Sequence, residues 1–591
     1  MKVDQKRAEL MDVAMGLQPA DYYIEGARLL NVFSGELIEN IGIAVKGSYI
    51  AYVGSCQNMI GSETKIISAK GKTAVPGYID PHAHADMYTN PIAFAESVIA
   101  LGTTTVLTAT LDWATAFGIE GIHDYLELTE ELPVKFYIGL PTEAFDTYMS
   151  GSDPYLVAPE HYKKFLTNKR VISLAENQNW GLIINKQLLE HIETMRQGHK
   201  RIDGHTNGAK DHELNALAAM GVSSCHEALN TEQVLKRLRL GLSVMLRHGS
   251  IRRDLPQLLP ELLKYPYLNW SKVMLTPDFM NPNDIIDKGY MDYLIQEALK
   301  CGCPAVKAYQ MSTLHAAIYL GLEEEIGSIA PGKIADILLL KDLENPRPEW
   351  VMTNGIPVAD KGEILEPLRP MTMRGGNGLG LKRGFFPDLP FDKNSFRISK
   401  PETGFQEEDS QLKVPVLRIK TNTITDVVWT KVPIEKDELV LPPKGQFQKL
   451  SIISVNRNSL ITSFLTGTGL INGAIAATIG IGRNLLTILG TCEEDMARAG
   501  NRLYEIGGGI VVLAGGQVRA ECALAIGGIA SYRSVRELAG EFSLINKACR
   551  DLGCSLEEPI LTLHFLTSEL PFVRSTSFGL MDIKRKKVIF P

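Results

Sequence analysis

His82 and His84 stand two residues apart in Pro76-Gly77-Tyr78-Ile79-Asp80-Pro81-His82-Ala83-His84-Ala85-Asp86. Apolar Ala74 and Val75 lead into this short β-favouring run. On an extended strand, positions i and i+2 face the same side. Both imidazoles can therefore reach one metal ion, and neutral imidazole is the commonest metal ligand. The plainer reading of so short a motif is two surface histidines in a turn. Four further candidates follow strand-like runs. Glu176 follows Val171-Ile172-Ser173-Leu174-Ala175, His205 ends Arg201-Ile202-Asp203-Gly204, His226 ends Val222-Ser223-Ser224-Cys225, and Asp278 follows Val273-Met274-Leu275-Thr276-Pro277. Singly, each has an ordinary role: a carboxylate can cap a helix, and a histidine can be a hydrogen-bonded core residue. Taken together, four imidazoles, one bridging carboxylate and one terminal carboxylate suit two divalent ions about 3.5–4 Å apart. Water between two such ions loses a proton near neutral pH. The mixed nitrogen and oxygen set tolerates manganese, iron or zinc.

Elements able to position these residues are visible around them. Thr103-Thr104-Thr105-Val106-Leu107-Thr108 is β-branched and strand-like, Ile119 to Leu132 reads as a helix, and Val134 to Leu140 as a strand. A helix is expected from Lys186 to Gly198 and another from Asp211 to Met220. Strand and helix alternating in this way predict a parallel sheet. Tyr22 to Asn31 and the hairpin Ile41 to Val53 form a small β unit that cannot bury both faces alone. Further strands come much later, at Ile334 to Leu340 and at Trp350 to Val358 with its Asn354-Gly355 turn. Residues 365 to 445 are rich in Pro, Gly and charge. Alternation resumes with the strand Leu485–Gly490 and the helix Cys492–Tyr504. Gly507-Gly508-Gly509 ends a helix and opens a strand, the reverse of a phosphate-binding loop.

With 591 residues the chain exceeds one ordinary domain. Its hydrophobic content of 45% and charged content of 22% are those of a globular protein. Lys and Arg number 61 against 68 Asp and Glu, a net charge of −7, which offers no basic footprint for nucleic acid and no polybasic membrane patch. Met1 to Leu17 reads as a charged amphipathic helix without the apolar core of a signal peptide, and no stretch has the apolar length of a membrane span. The eight cysteines make no Cys-x-x-Cys pair, which predicts reduced thiols and a cytoplasmic location. A homodimer is expected only because two-fold pairs are the commonest oligomers.

The lead-in Val75-Pro76-Gly77-Tyr78-Ile79-Asp80 with His82 and His84 resembles the first barrel strand of the amidohydrolase superfamily, and Gly327-Ser328-Ile329-Ala330-Pro331-Gly332-Lys333-Ile334-Ala335-Asp336 is a second match. Over nearly its whole length the chain is similar to the bacterial adenine deaminase family. The matching residues are Gly102-Thr103-Thr104-Thr105-Val106, Asp203-Gly204-His205, Gly221 to Ser224 with His226-Glu227, and the run Arg237 to Arg247. In the C-terminal unit they are Glu494-Asp495-Met496-Ala497, Asn501-Arg502-Leu503 and Gly507 to Gly509.

The resemblance implies an α/β architecture: a (β/α)8 metal-dependent hydrolase barrel at 75–325, a composite β-sandwich domain from 1–74 and 326–370, and a linker with a C-terminal α/β domain at 371–591. It implies two divalent ions, manganese first and iron or zinc as alternatives, on His82, His84, Glu176, His205, His226 and Asp278. Asp278 is placed to take a proton from water, and Glu227 is a second proton carrier or only a helix cap. Asp86, Tyr88, Asp112 and Arg247 are the substrate-side candidates. The activity implied is hydrolytic deamination of adenine, or of a related aminated heterocycle, to hypoxanthine (or its analogue) and ammonia, with a small purine-like substrate. The alternatives are an amidohydrolase that opens a cyclic amide and a metal-binding homologue with little catalysis. Many cyclic-amide relatives bridge their metals with a modified lysine, and no lysine stands at Glu176.

The chain departs from the family pattern at several places. Asp86, Met87 and Tyr88 stand where the family has Glu and then Ser, Leu111-Asp112 where it has His-Glu, and Cys225 where it has Asp. Pro277 is an insertion, and Thr478 to Asn484 replaces a polar, histidine-containing motif. These changes predict a less polar pocket on the substrate side and slower adenine turnover.

Overall fold

The computed structural model describes residues 5–142, 159–177, 180–186, 188–368, 390–401, 405–421, 423–442, 447–454, 459–480, 485–567, 573–576, 578–582, 585 and 587–591; of Glu176 only the backbone is described. Of the expected linker at 365–445, residues 369–389, 402–404, 422 and 443–445 lie outside the described residues.

Of eight strands, β1 (Tyr78–Ala83), β2 (Thr103–Ala109), β3 (Lys135–Pro141), β4 (Val171–Asn177), β5 (Arg201–Gly204), β6 (Ser224–Cys225), β7 (Ser243–Arg247) and β8 (Val273–Thr276), the candidate ligands stand on or just beyond β1, β4, β5, β6 and β8. The eight strands pair in parallel as one sheet of five, β1 to β5 with neighbours in chain order, and one of three, β6 to β8. Between the two sheets run single parallel bridges, Ile202 to Val222 and Ala83 to Asp278. Both junctions are thin for local reasons. β6 is only two residues long. Asp278 has φ +67°, which takes its backbone out of the extended region. Alternate side chains face inward, as the period of two requires: Ile79, Leu107, Ile172, Met245 and Met274 form one buried cluster with Ala316, Tyr319 and Leu320 of the helix Leu314–Leu320. Their neighbours Tyr78, Val106, Val171, Val244 and Val273 belong to a separate outer cluster under the surrounding helices. The helix expected at Ile119 to Leu132 begins earlier, at Leu111, and runs to Leu128 with a break at Gly118 (φ +67°). That glycine hides the first turn from a periodicity reading.

Strands from both ends of this region share one nine-stranded sheet. Thr73–Pro76 pairs antiparallel with Ile337–Leu340 and parallel with Tyr22–Asn31. Tyr49 bridges back to Ile334, so the sheet curls around a core of Ile24, Leu29, Ile43, Ile50, Ile337 and Met352. Lys135 at the start of β3 ties this sheet to the parallel strands, donating to both carboxylate oxygens of Asp336 at 2.7 and 2.8 Å.

The C-terminal unit contains an eleven-stranded sheet, antiparallel except where Leu417 and Arg418 pair with Leu465 and Thr466. Strand and helix alternate along this sequence without making a parallel sheet, because hairpins connect most neighbours. The helix Glu493–Glu505 covers one face, with Met496 and Leu503 against Ile453, Ile488 and Val511. The helix Val535–Asp551 covers the other, with Leu538, Phe542 and Ile545 against Ile452, Ile475 and Val512. All eight cysteines are free thiols. No helix among the described residues is long and apolar enough to cross a membrane.

Candidate functional site

The residues that end the parallel strands converge. His82 lies on β1 and His84 just beyond it, and their Nε2 atoms lie 3.4 and 3.3 Å from Asp278 Oδ1. His226, directly after β6, places Nε2 3.9 Å from the same oxygen and 3.6 Å from Glu227 Oε1. His205, after β5, places Nδ1 3.6 Å from that Glu227 oxygen. The His226 ring centroid is 4.1 Å from that of His82 and 4.5 Å from that of His205. The structure thus brings together His82, His84, His205, His226, Glu227 and Asp278. Glu176 belongs to β4, and its side chain lies outside the described residues.

A divalent cation fits this donor set. Three groups of ligand atoms each lie within 4.8 Å of one another: His82 with His84 and Asp278, His82 with Asp203 and His226, and His205 with His226 and Glu227. His226 is buried, and both of its ring nitrogens lack a hydrogen-bond partner among the described residues. Burial first, then the neighbouring His82 charge, pushes its pKa well down, so the ring is neutral and able to act as a ligand.

Arg247, at the end of β7, joins the two carboxylates. Its Nη1 donates to Glu227 Oε1 at 2.7 Å and to Asp278 Oδ2 at 2.8 Å. Burial alone would raise the Asp278 pKa. The Arg247 guanidinium above all, with the adjacent His226 ring and hydrogen bonds from His82 and His84, outweighs it and holds this carboxyl well below its ordinary range. Glu227 is lowered in the same way, burial being opposed by Arg247, His205 and Arg252. Arg252 adds a second guanidinium 3.5 Å from Glu227 Oε2. A cleft of about 690 Å³ reaches Glu227 from solvent. Its walls include Asn207, Ile251 and Arg252, with Thr421 and Ile424 contributed by the C-terminal unit.

The four substrate-side candidates lie in different surroundings. Asp86 is buried; its Oδ2 accepts the backbone N–H of Asp112 and of Trp113, and its Oδ1 has no hydrogen-bond partner among the described residues. Ligand atoms of His84, Asp86 and Asp112 lie within 4.8 Å of one another, so two carboxyl groups stand beside the histidine pair, and this side of the site is not apolar. Burial, reinforced by Asp112, pushes the Asp86 pKa up to about 7. Arg247 is occupied by Glu227 and Asp278 through Nη1, while its buried Nη2 makes no hydrogen bond among the described residues. Tyr88 is buried, and its hydroxyl is 2.8 Å from His564 Nδ1 in the C-terminal unit.

Asp203 and Asp80, neither of them among the sequence candidates, support the site. Asp203 Oδ2 is 2.9 Å from His82 Nδ1, which orients the ring. Asp80 accepts from Tyr290 at 2.7 Å and from Thr276 at 2.8 Å, and it also accepts the backbone N–H of His82. A signal for both was present. The i and i+2 rule that marks His82 and His84 also puts Asp80 on the His82 side and Asp203 on the His205 side.

The Amidohydrolase family profile matches residues 73–236 and 268–360, and the profile of the Adenine deaminase C-terminal domain matches residues 422–587. An adenine deaminase of Kosmotoga olearia is 31% identical over 591 residues, covering 97% of this chain and 97% of its own length. One from Cereibacter sphaeroides is 32% identical over 594 residues, covering 98% of this chain and 99% of its own length. One from Cenarchaeum symbiosum is 30% identical, covering 98% of this chain and 94% of its own length. Similarity of this extent spans the strands that carry the candidate ligands, the composite sheet and the C-terminal unit together, and the chain belongs to the adenine deaminase family of amidohydrolases.

Proposed function

We propose that this chain hydrolyses adenine to hypoxanthine and ammonia. The observation that carries the reading is the convergence of His82, His84, His205, His226, Glu227 and Asp278 in one buried site of a chain in this family. His82, His84, Glu176, His205, His226 and Asp278 are the proposed ligands of two divalent ions. Manganese is the first choice, and the ligand types also suit iron or zinc. When bound, such ions supply Lewis acidity and make nearby water easier to deprotonate.

The remaining steps fall to the chain's own groups. Asp278 is held ionised, so it can accept a proton from the attacking water and pass it to the departing amine. A C–O bond forms at C6 and the C6–N bond breaks; the two protons of water end on ring nitrogen N1 and on the ammonia. Glu227, also held ionised, is the second proton carrier. Arg247 fixes the separation of the two carboxylates, which keeps both in line with the reacting centre. Asp86 and Asp112 stand beside His84; Asp86 Oδ1 and the Asp112 carboxylate are the proposed acceptors for substrate N–H groups, and Arg247 Nη2 the proposed donor to a ring nitrogen. A site built to pair a purine edge rejects molecules lacking it, because its own buried polar groups then go unpaired.

The single bridges at Ile202–Val222 and Ala83–Asp278 support a closed (β/α)8 barrel made of the two parallel sheets. A cytoplasmic homodimer completes the proposal. An ammonia-release screen over aminopurines and cyclic amides tests the substrate class: adenine or a close aminated relative should be the best substrate, and a cyclic amide as the sole substrate would overturn it. Replacing His82 or His84 by Ala should remove at least one metal per chain with the fold retained, since strand-end positions serve function more than stability. Elemental analysis showing unchanged metal in both variants would take them out of the site.

A further inference from the structure

We propose that the C-terminal unit, through a Tyr88–His564 clamp, positions the two loops that carry His84 and Asp278. Neither loop is held by the barrel strands alone. The His84 backbone N–H donates to the Asp278 carbonyl at 3.1 Å, which joins the two loops to each other. Four residues beyond His84 the chain leaves the barrel for the C-terminal unit. Tyr88 and Thr89 pair in parallel with Ala530 and Ser531, and the Tyr88 N–H donates to the Ile529 carbonyl at 2.8 Å. Asn90 caps the helix Pro91–Ile99 with its Oδ1 and donates from Nδ2 to the Ser531 carbonyl at 2.8 Å.

Tyr88 is the centre of this contact. Its φ of +65° is uncommon for an aromatic residue and persists only where surrounding contacts over-determine it. Its ring stacks on His564 at 5.2 Å and meets Phe542 at 4.8 Å; on its other side it meets Phe279, the residue after Asp278, at 5.4 Å. Asp278 itself has φ +67°. The Asp278 loop has its own tether, from Asn281 Nδ2 to Glu558 Oε2 at 2.9 Å. Burial pushes the His564 pKa down to about 3 and the Tyr88 pKa well up, so their hydrogen bond joins two neutral groups at working pH. Tyr88 and His564 are thus positioning residues, acting on the reacting centre through His84, Phe279 and Asp278.

The test compares Tyr88→Phe, His564→Leu and His564→Asn, the last of which restores a polar atom near the Nδ1 position. Ser543→Ala is the control; it removes an exposed 2.6 Å contact from Asn283 between the same two parts of the chain. Two readouts are taken: the visible absorption of cobalt(II)-loaded protein, and kcat and KM for adenine at full metal content. The kinetic readout rests on the proposed deamination and the cobalt spectrum does not. If the unmodified protein formed no hypoxanthine, the functional reading would fall and the spectrum alone would decide the clamp. Tyr88→Phe and His564→Leu should shift the cobalt bands and lower kcat by about tenfold, the low end for losing a support behind a metal ligand, with KM within about twofold. His564→Asn should recover most of the loss, and Ser543→Ala should change nothing. Unchanged spectra and kcat in both Tyr88→Phe and His564→Leu would overturn the proposal, as would a Ser543→Ala effect of equal size. If His564→Leu does not fold, Tyr88→Phe and His564→Asn decide it.

Discussion

Asp278→Asn should keep the fold and most of the metal while lowering kcat by roughly 10²-fold or more, the usual contribution of general acid–base catalysis. The substitution suits this position for a structural reason. Asp278 sits at φ +67°, and Asn is among the few residues that adopt that conformation readily. The backbone that presents the side chain 3.3–3.4 Å from His82 and His84 is therefore preserved. What is lost is the ability to accept a proton at an oxygen that Arg247 otherwise holds ionised. Ala at the same place would add backbone strain and confuse the two effects. The checks are single-turnover kinetics and elemental analysis on the same preparation. A near-normal rate would move the proton-carrying role to Glu227.

Arg247→Met has the second-largest expected effect, and it falls on stability. Arg247 is fully buried and its Nη1 bonds two buried carboxylates at 2.7 and 2.8 Å. Removing one partner of a buried charge network leaves the other uncompensated, which costs about 3–5 kcal/mol. Methionine fills much of the volume, so the loss reports charge more than cavity. The measurement is urea unfolding of the metal-stripped variant against metal-stripped parent, followed by tryptophan fluorescence. Metal binding should recover part of the loss, because bound cations oppose the same carboxylates and bind only the folded form. If Arg247 acted only on substrate, stability would be unchanged and KM alone would rise.

The candidate site was legible to different depths. His82 and His84 could be read because their spacing is a strand period and the geometry is local. His205, His226 and Asp278 required the additional idea that strand ends collect on one side of a parallel sheet. Asp80 and Asp203 obey the same period and were legible in principle, since their bonds to the His82 N–H and ring follow from facing the same side. Arg247 could be marked as polar and near the site, but not as the link between Glu227 and Asp278, which depends on three strand ends meeting.

Tyr88 was the least legible. Its position after His84 suggests a wall of the pocket, yet its partner His564 lies 476 residues further on. No local pattern predicts that pairing. The same holds for the C-terminal sheet: Leu485–Gly490 and Glu493–Glu505 are readable as elements, whereas antiparallel pairing of Leu485–Gly490 with both Gln448–Ser454 and Ala474–Ala477 is a property of the whole unit. Periodicity encodes which face of an element is buried; it does not encode what buries it.

The most direct test of the account is adenine incubated with manganese-loaded protein in ¹⁸O-water. The account predicts hypoxanthine carrying one ¹⁸O atom at C6, one equivalent of ammonia, and no reaction after metal removal. Protein that holds its full metal complement and forms no labelled hypoxanthine would contradict it.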